Sequence, residues 1–515
     1  NAEHQNVRTL SAQRDGIIVP DLPTIDTSTE QDVAGGGYNH WATAGFFGRL
    51  NYNYKEKYLL EVNGRYDGTS RFMKDQRWNF FPSFSLGWNV ARENFWKPLE
   101  SVVNQFKLRG SWGELGNQNT SNLYPFYEIL PVKSNSGNWL VNGGKTNTAD
   151  IPSLVSTLLT WERVRSFNVG FDFGAFSNRL TGSFDYFVRK TVDMVGPAPQ
   201  LPLVLGIAPA IVNNADMKSY GFEIELSWRD RIGEVDYGVK FNLADAQQKV
   251  VKYPNTTNAF SDWYAGKMSG EIWGYTSLGI AKTDEEMKEH LASLPNGGQN
   301  QLGNKWGAGD IMYADINGDG KVDGGKGTLA DPGDQRIIGN STPRYNFGLV
   351  LDASYKGFDV SIFFQGVGKR DYAPIVGTNG AVFWGAVNNI WQSMAMEEHF
   401  DYFRPEGHPM GANLNGYYPR PDFTSNKNHQ VQTRYLQDAS YIRLKNLQIG
   451  YTLPKQWINK LQINRCRVYV SGDNLWTGTS LASMFDPETL AAGDWGSGKT
   501  YPLSKVISFG LNVNF

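Results

Sequence analysis

Residues Asp315–Asp323 read D-I-N-G-D-G-K-V-D, a spacing suited to a hard divalent cation. Calcium takes several oxygen ligands from a turning loop: Asp315, Asn317 and Asp319 would supply side-chain oxygens, Gly320 the sharp turn and Lys321 its backbone carbonyl. The closing position is Lys326 rather than a bidentate Glu, so Asp323, Asp331 or Asp334 would have to complete the shell. A structural calcium ion is thus the cofactor this spacing points to. The alternative is an ion-free loop, because Asn, Asp and Gly clusters form turns unaided. A second string, Gly493–Thr500, spells G-x-x-x-x-G-K-T, but phosphate binding there needs a buried strand before it and a helix after it. Pro502 and a strand-like run follow instead, so the match is read as chance. The six histidines show no paired ligand spacing, and no G-x-S-x-G nucleophile signature occurs. No enzymatic chemistry is expected. Binding is better supplied by aromatic rings that fall between the periodic segments: Trp273, Tyr275, Trp306, Trp384, Trp391 and Trp495, with Trp263, Tyr264, Tyr417 and Tyr418 near them. Rings with polar edges stack on sugars and hold peptide side chains. They also pack long loops together, which is the alternative reading for each.

The elements that would carry these residues are strands. Among 515 residues, Lys and Arg number 49 and Asp and Glu 51, a balance without the basic excess of a nucleic-acid binder. Mean hydropathy is −0.44 and no long apolar run occurs, which excludes membrane-spanning helices. One cysteine, Cys466, excludes an intrachain disulfide framework. Aromatic residues make up 14% of the chain and glycine contributes 56 positions, while hydrophobic residues reach only 40%. That combination fits a membrane β-barrel, in which only alternate residues face lipid.

Period two runs through the chain. Phe358, Val360, Ile362 and Phe364 alternate with Asp359, Ser361, Phe363 and Gln365, and the segments around 180–189, 220–229, 235–243, 344–355 and 507–515 alternate likewise. In a barrel, Ile362 and its parity mates would face lipid and Ser361 and its mates the lumen. One segment breaks parity: Ile442 and Leu444 oppose Leu447, Ile449 and Tyr451. A β-bulge near Lys445–Asn446 or an apolar pair facing the lumen would each account for this. Short links near 55–57, 174–178, 230–234 and 356–357 alternate with long ones near 117–158, 190–215, 248–337, 368–437 and 474–502, the periplasmic-turn and exterior-loop pattern. About thirteen strands are expected, with residues 1–42 an exterior loop segment and 43–515 barrel wall. An odd count, where closed bacterial barrels are even, implies that further strands complete the barrel. Asn1 as the first residue, with no signal peptide after it, fits a processed chain or a fragment.

Specific strings then become informative. "GFFGRLNYNYKEKYLLEVNGRYDGTSRF" (45–72), "RWNFFPSFSLGWNVARENFW" (77–96), "LRGSWGELGNQN" (108–119), "NADMKSYGFEIELSW" (214–228), "GDIMYADINGDGKVD" (309–323) and "DASYIRLKNLQIGYTLP" (438–454) occur in order. Together they resemble the barrel of SusC-type TonB-dependent transporters, the SusC/RagA family, over nearly all of residues 40–515. The resemblance implies an all-β transmembrane antiparallel barrel, this chain holding about thirteen C-terminal strands of a 22-stranded wall of the kind that encloses a plugged lumen. It also implies residence in the outer membrane and import of oligosaccharides or oligopeptides. The partners implied are a SusD-like surface lipoprotein, the N-terminal part with plug and first strands, TonB acting through that part, and outer-membrane lipid. A non-transporting structural or adhesive barrel and an outer-membrane hydrolase are the alternatives.

Overall fold

Residues that alternate apolar and polar commit a segment to a strand with two unlike faces. In the computed structural model, fourteen strands lie in one antiparallel sheet, each beside its neighbours in chain order. The structure describes all residues except 17–31, 121, 198–203, 205, 208, 375–380, 386–395, 424, 459–461 and 491–499. The strands are β1 Ala2–Arg14, β2 Asp32–Tyr54, β3 Tyr58–Thr69, β4 Trp78–Asn89, β5 Val103–Asn117, β6 Glu162–Ala175 and β7 Leu180–Val195. They continue as β8 Asn213–Ile232, β9 Val235–Lys252, β10 Arg344–Tyr355, β11 Phe358–Lys369, β12 Tyr441–Thr452, β13 Arg465–Thr479 and β14 Val506–Asn514. The sheet is open, with β1 and β14 as its edges.

Register sorts the faces. Tyr58, Trp88, Leu108, Phe171, Phe184, Ile224 and Leu243 are successive cross-strand partners from β3 to β9. On the other face Lys107, Asp172, Ser183, Glu225, Asn242, Gly348, Gln365 and Arg443 are partners from β5 to β12. Large apolar side chains of the first face stand open: Leu50 is 64% exposed and Leu86 58%. An apolar surface this continuous is a membrane or partner surface.

Two expectations change. The sheet has fourteen strands where about thirteen were expected, and the added one is β1. Of the segment 1–42, expected as an exterior loop, residues 2–14 and 32–42 form a two-stranded ribbon. β1 pairs with Asp32–Ala44, whereas β3 pairs with Thr43–Tyr54, so the ribbon stands beyond the end of β3. Nearly every residue of β1 is exposed. Polar residues stand on both faces of β1, so no alternation marks it and the sequence pattern is silent there.

The parity break in β12 is a bulge. Phe363 pairs with Asn446 but Phe364 with Leu444, so Lys445 is the extra residue. The insertion keeps Ile442 and Leu444 on the same face as Leu447, Ile449 and Tyr451. On β13, Asn474 and Leu475 are skipped at the same level. Short connections (55–57, 176–179, 233–234 and 356–357, and the somewhat longer 90–102 and 453–464) lie at one end of the sheet. The other end carries 118–161, 196–212, 253–343, 370–440 and 480–505, besides the brief 70–77.

Candidate functional site: a polar wall and the loop cluster over it

The polar face is held by ion pairs between strands. Arg109 on β5 donates to both oxygens of Asp172 on β6 at 2.9 and 2.8 Å and to both oxygens of Asp185 on β7 at 2.9 Å. Arg467 on β13 binds Asp359 on β11 and donates to Gln448 at 2.9 Å. A guanidinium presents a rigid fork that two carboxylates can fill, so these pairs fix side-chain direction as well as charge. Glu223 and Glu225 on the same face stay exposed. The wall therefore offers hydrogen-bonding groups whose directions are fixed by these pairs.

At the far end the long connections share one core. Tyr275, Ile311 and Tyr313 come from 253–343, Phe383, Trp384, Tyr418 and Tyr435 from 370–440, and Leu481 and Phe485 from 480–505. A buried polar hub ties the first two connections. Asp310, fully enclosed, accepts from Arg420 at 2.8 and 2.6 Å, Lys427 at 2.9 Å, Asn428 at 2.9 Å and the Gly307 amide at 2.9 Å. Lys427 is itself enclosed, and donates further to the Lys305 carbonyl at 3.0 Å. The third connection is roped to the wall: Arg443 and Lys445 on β12 bind Asp486 at 2.7 Å and Glu488 at 2.9 Å. Arg370 donates to the Leu490 carbonyl at 3.1 Å. The cluster thus sits against the polar-face end of β12. His429 lies in it with no hydrogen-bond partner on either ring nitrogen among the described residues, and burial pushes its pKa down to about 4.

The aromatic residues expected to face cargo are divided by this core. Tyr275 and Trp384 are 4% and 1% exposed, so in this structure they pack loops instead of presenting rings, a correction with a simple cause. Connections this long order only by burying their own apolar area. Trp273 stacks on Phe260 at 4.5 Å, and Trp306 lies half-buried with the Lys427 ammonium 5.0 Å over its ring. Trp391, Trp495 and residues 493–499 of the P-loop-like string lie outside the described residues. The connection 253–343 also carries a short helix, α1, Asp284–Ala292, capped by the Thr283 side chain and burying Met287.

The Asp315 loop winds as its glycines allow, Gly318 and Gly320 having φ of +76° and +82°. Asp315 accepts from the Gly318 and Gly320 amides at 2.6 and 2.8 Å. Asp334 accepts from Ile316 at 2.7 Å and Asp323 at 2.8 Å, and Asp323 accepts from Gly325 at 2.7 Å and pairs with Lys321. Asn317 and Asp319 bond to each other at 3.2 Å. The acceptors are therefore largely satisfied within the loop. Among the described residues, no three His, Cys, Asp or Glu side chains gather as metal ligands do.

Paired carboxylate and guanidinium groups on one strand parity were legible in sequence as polar positions. The Asp310 hub was not, because its members lie more than a hundred residues apart.

The chain matches the family model described as "TonB dependent receptor-like, beta-barrel" over residues 4–475. It is 30% identical to TonB-dependent receptor P3 of Formosa agariphila over 91% of this chain and 45% of that protein. Against the TonB-dependent receptor SusC of Bacteroides thetaiotaomicron, identity is 25% over 91% and 43% of the two chains. The chain spans about half the length of these relatives, which are receptors and not enzymes. Among solved structures, the RagAB peptide transporter superposes with a TM-score of 0.76 at 21% identity, covering 100% of this chain and 52% of that one. At that identity the likeness is one of fold. With one strand face apolar and the other polar, short turns at one end and long loops at the other, this chain belongs to the TonB-dependent receptor-like β-barrels of the outer membrane.

Proposed function

We propose that this chain is wall and exterior loops of a TonB-dependent importer that moves oligosaccharides across the outer membrane. The single observation that carries the reading is the cross-strand row from Lys107 to Arg443, polar at every position but Gly348, facing away from the apolar band, with the loop cluster roped to its β12 end. A plug and the first strands would be supplied by further sequence, with TonB acting through that part. A SusD-like surface lipoprotein would cover the loops, a reading supported by Phe400, Met410 and Phe423, apolar side chains more than half exposed on 370–440. Oligopeptide cargo is the second reading, favoured by the burial of Tyr275 and Trp384, which leaves fewer rings for sugar stacking. A loop-stiffening calcium at Asp315, Asn317, Asp319 and the Lys321 carbonyl, closed by Asp323, Asp331 or Asp334, is a separate proposal, resting on the alternate oxygen donors alone.

The test is uptake by cells carrying the full-length protein, offered labelled oligosaccharide and oligopeptide pools with and without a protonophore. Energy-dependent oligosaccharide accumulation is expected. Energy-dependent accumulation of peptide alone transfers the cargo assignment. Accumulation of neither overturns the importer reading.

A further inference from the structure

On the apolar face, one row breaks the pattern. Arg165 on β6, Lys190 on β7, Lys218 on β8 and Lys249 on β9 are successive register partners, four cations abreast. The row immediately toward the short-turn end is Phe167, Val188 and Tyr220, and the Lys218 ammonium lies 5.3 Å from the Tyr220 ring. Directly opposed side chains on adjacent strands have Cβ atoms about 5 Å apart, where like charges destabilise the sheet. Two of the four have carboxylates: Arg165 meets Glu114 at 2.6 Å and Lys190 meets Asp216 at 3.6 Å. Among the described residues, neither Lys218 nor Lys249 is ion-paired. Such a row is stabilised by an anion from outside the chain.

Its height says which. On β8 the apolar face runs from Trp228 to Tyr220 and then reaches Lys218. At about 3.3 Å per residue and a strand tilt of about 40°, Lys218 stands about 25 Å above Trp228, the height of an apolar barrel band. The cations therefore sit just outboard of that band, at the end with long connections, level with lipid headgroups of the exterior leaflet. Lysines there act as point charges toward phosphate, and Arg165 as a fork. We infer that Arg165, Lys190, Lys218 and Lys249 form a docking row for the phosphate groups of a phosphorylated glycolipid in the exterior leaflet. The inference rests on the barrel assignment and is independent of cargo.

The experiment uses the full-length protein in neutral detergent, with native mass spectrometry reading retention of bis-phosphorylated lipid A, dephosphorylated lipid A and inorganic phosphate. Wild-type protein should hold the phosphorylated lipid at least about tenfold more tightly than the dephosphorylated one, and K218Q/K249Q should lose about that factor. Arg189→Gln, on the polar face of β7, should change nothing. Equal binding of the two lipids, or unaltered binding by the double variant, overturns the inference. So does inorganic phosphate that competes at the concentration of the lipid, since the site would then take the free anion. If the double variant does not assemble, the two-lipid comparison on wild-type protein decides alone.

Discussion

Replacing Asp310 by Ala should loosen the loop cluster while leaving the strand ladder intact. The carboxylate is fully enclosed and receives five hydrogen bonds, three of them from Arg420 and Lys427. Its loss leaves Lys427, 1% exposed, with Asp422 at 3.8 Å as its remaining carboxylate. Breaking a buried ion pair by removing one partner costs about 3–5 kcal/mol, largely because the other charge stays buried. About 4 kcal/mol corresponds to roughly a thousandfold rise in the population of the opened loops. Hydrogen exchange measured on full-length protein should therefore accelerate by about that factor over 305–315 and 420–432 and by much less in β5 to β8, whose hydrogen bonds do not pass through the hub. Arg179→Ala, which removes an exposed pair with Asp230, should leave exchange in both regions unchanged, because solvent screens that pair. Unchanged exchange in the two loop segments would refute the assignment of the hub as the clasp. Equal acceleration throughout the strands would refute the independence of loops and wall.

Three further outcomes are expected. His429 is buried with a pKa lowered to about 4, so the folded cluster binds fewer protons than the unfolded chain between about pH 4 and 6.5, and stability rises with pH in that window. Taking the loops from pH 7 to pH 5 should cost roughly 2 kcal/mol, read as faster exchange over 425–435, and His429→Leu should abolish the difference. Ile362 pairs with Leu351 and Leu447 on the apolar face, while Ser361 pairs with Asp352 and Gln448. Ile362→Arg should therefore cost roughly 2–4 kcal/mol in barrel stability and Ser361→Arg close to nothing; equal yields of heat-modifiable barrel would contradict the register. If calcium stiffens the Asp315 loop, a chelator or Asp319→Ala should raise protease cleavage between 300 and 335 without lowering the barrel's heat stability. No change in cleavage would dispose of the ion.

Most of the wall was legible in advance, because strand side chains alternate with a period of two and a lipid-facing parity must be apolar at nearly every position. Phe358 to Gln365 needed no tertiary information to be placed on two faces. β1 was illegible for the converse reason: a strand with polar residues on both faces shows no period-two pattern. β12 was ambiguous because a one-residue insertion and a true change of face produce the same parity break. Only the pairing of Phe363 with Asn446 and Phe364 with Leu444 separates them.

The loops divide more sharply. Local composition sufficed for turns whose donors and acceptors lie within a few residues, so the Asp315–Gly320 winding followed from the order of its Asp, Asn and Gly residues. It could not say whether Tyr275 and Trp384 point outward or inward, since an aromatic ring suits either place. Burial was decided by three connections meeting, and by Asp310 finding Arg420 and Lys427 across more than a hundred residues. The four cations on β6 to β9 teach the same lesson. Each is an unremarked basic residue in its own strand, and only the register between strands, a property of backbone hydrogen bonding in three dimensions, sets them in one row.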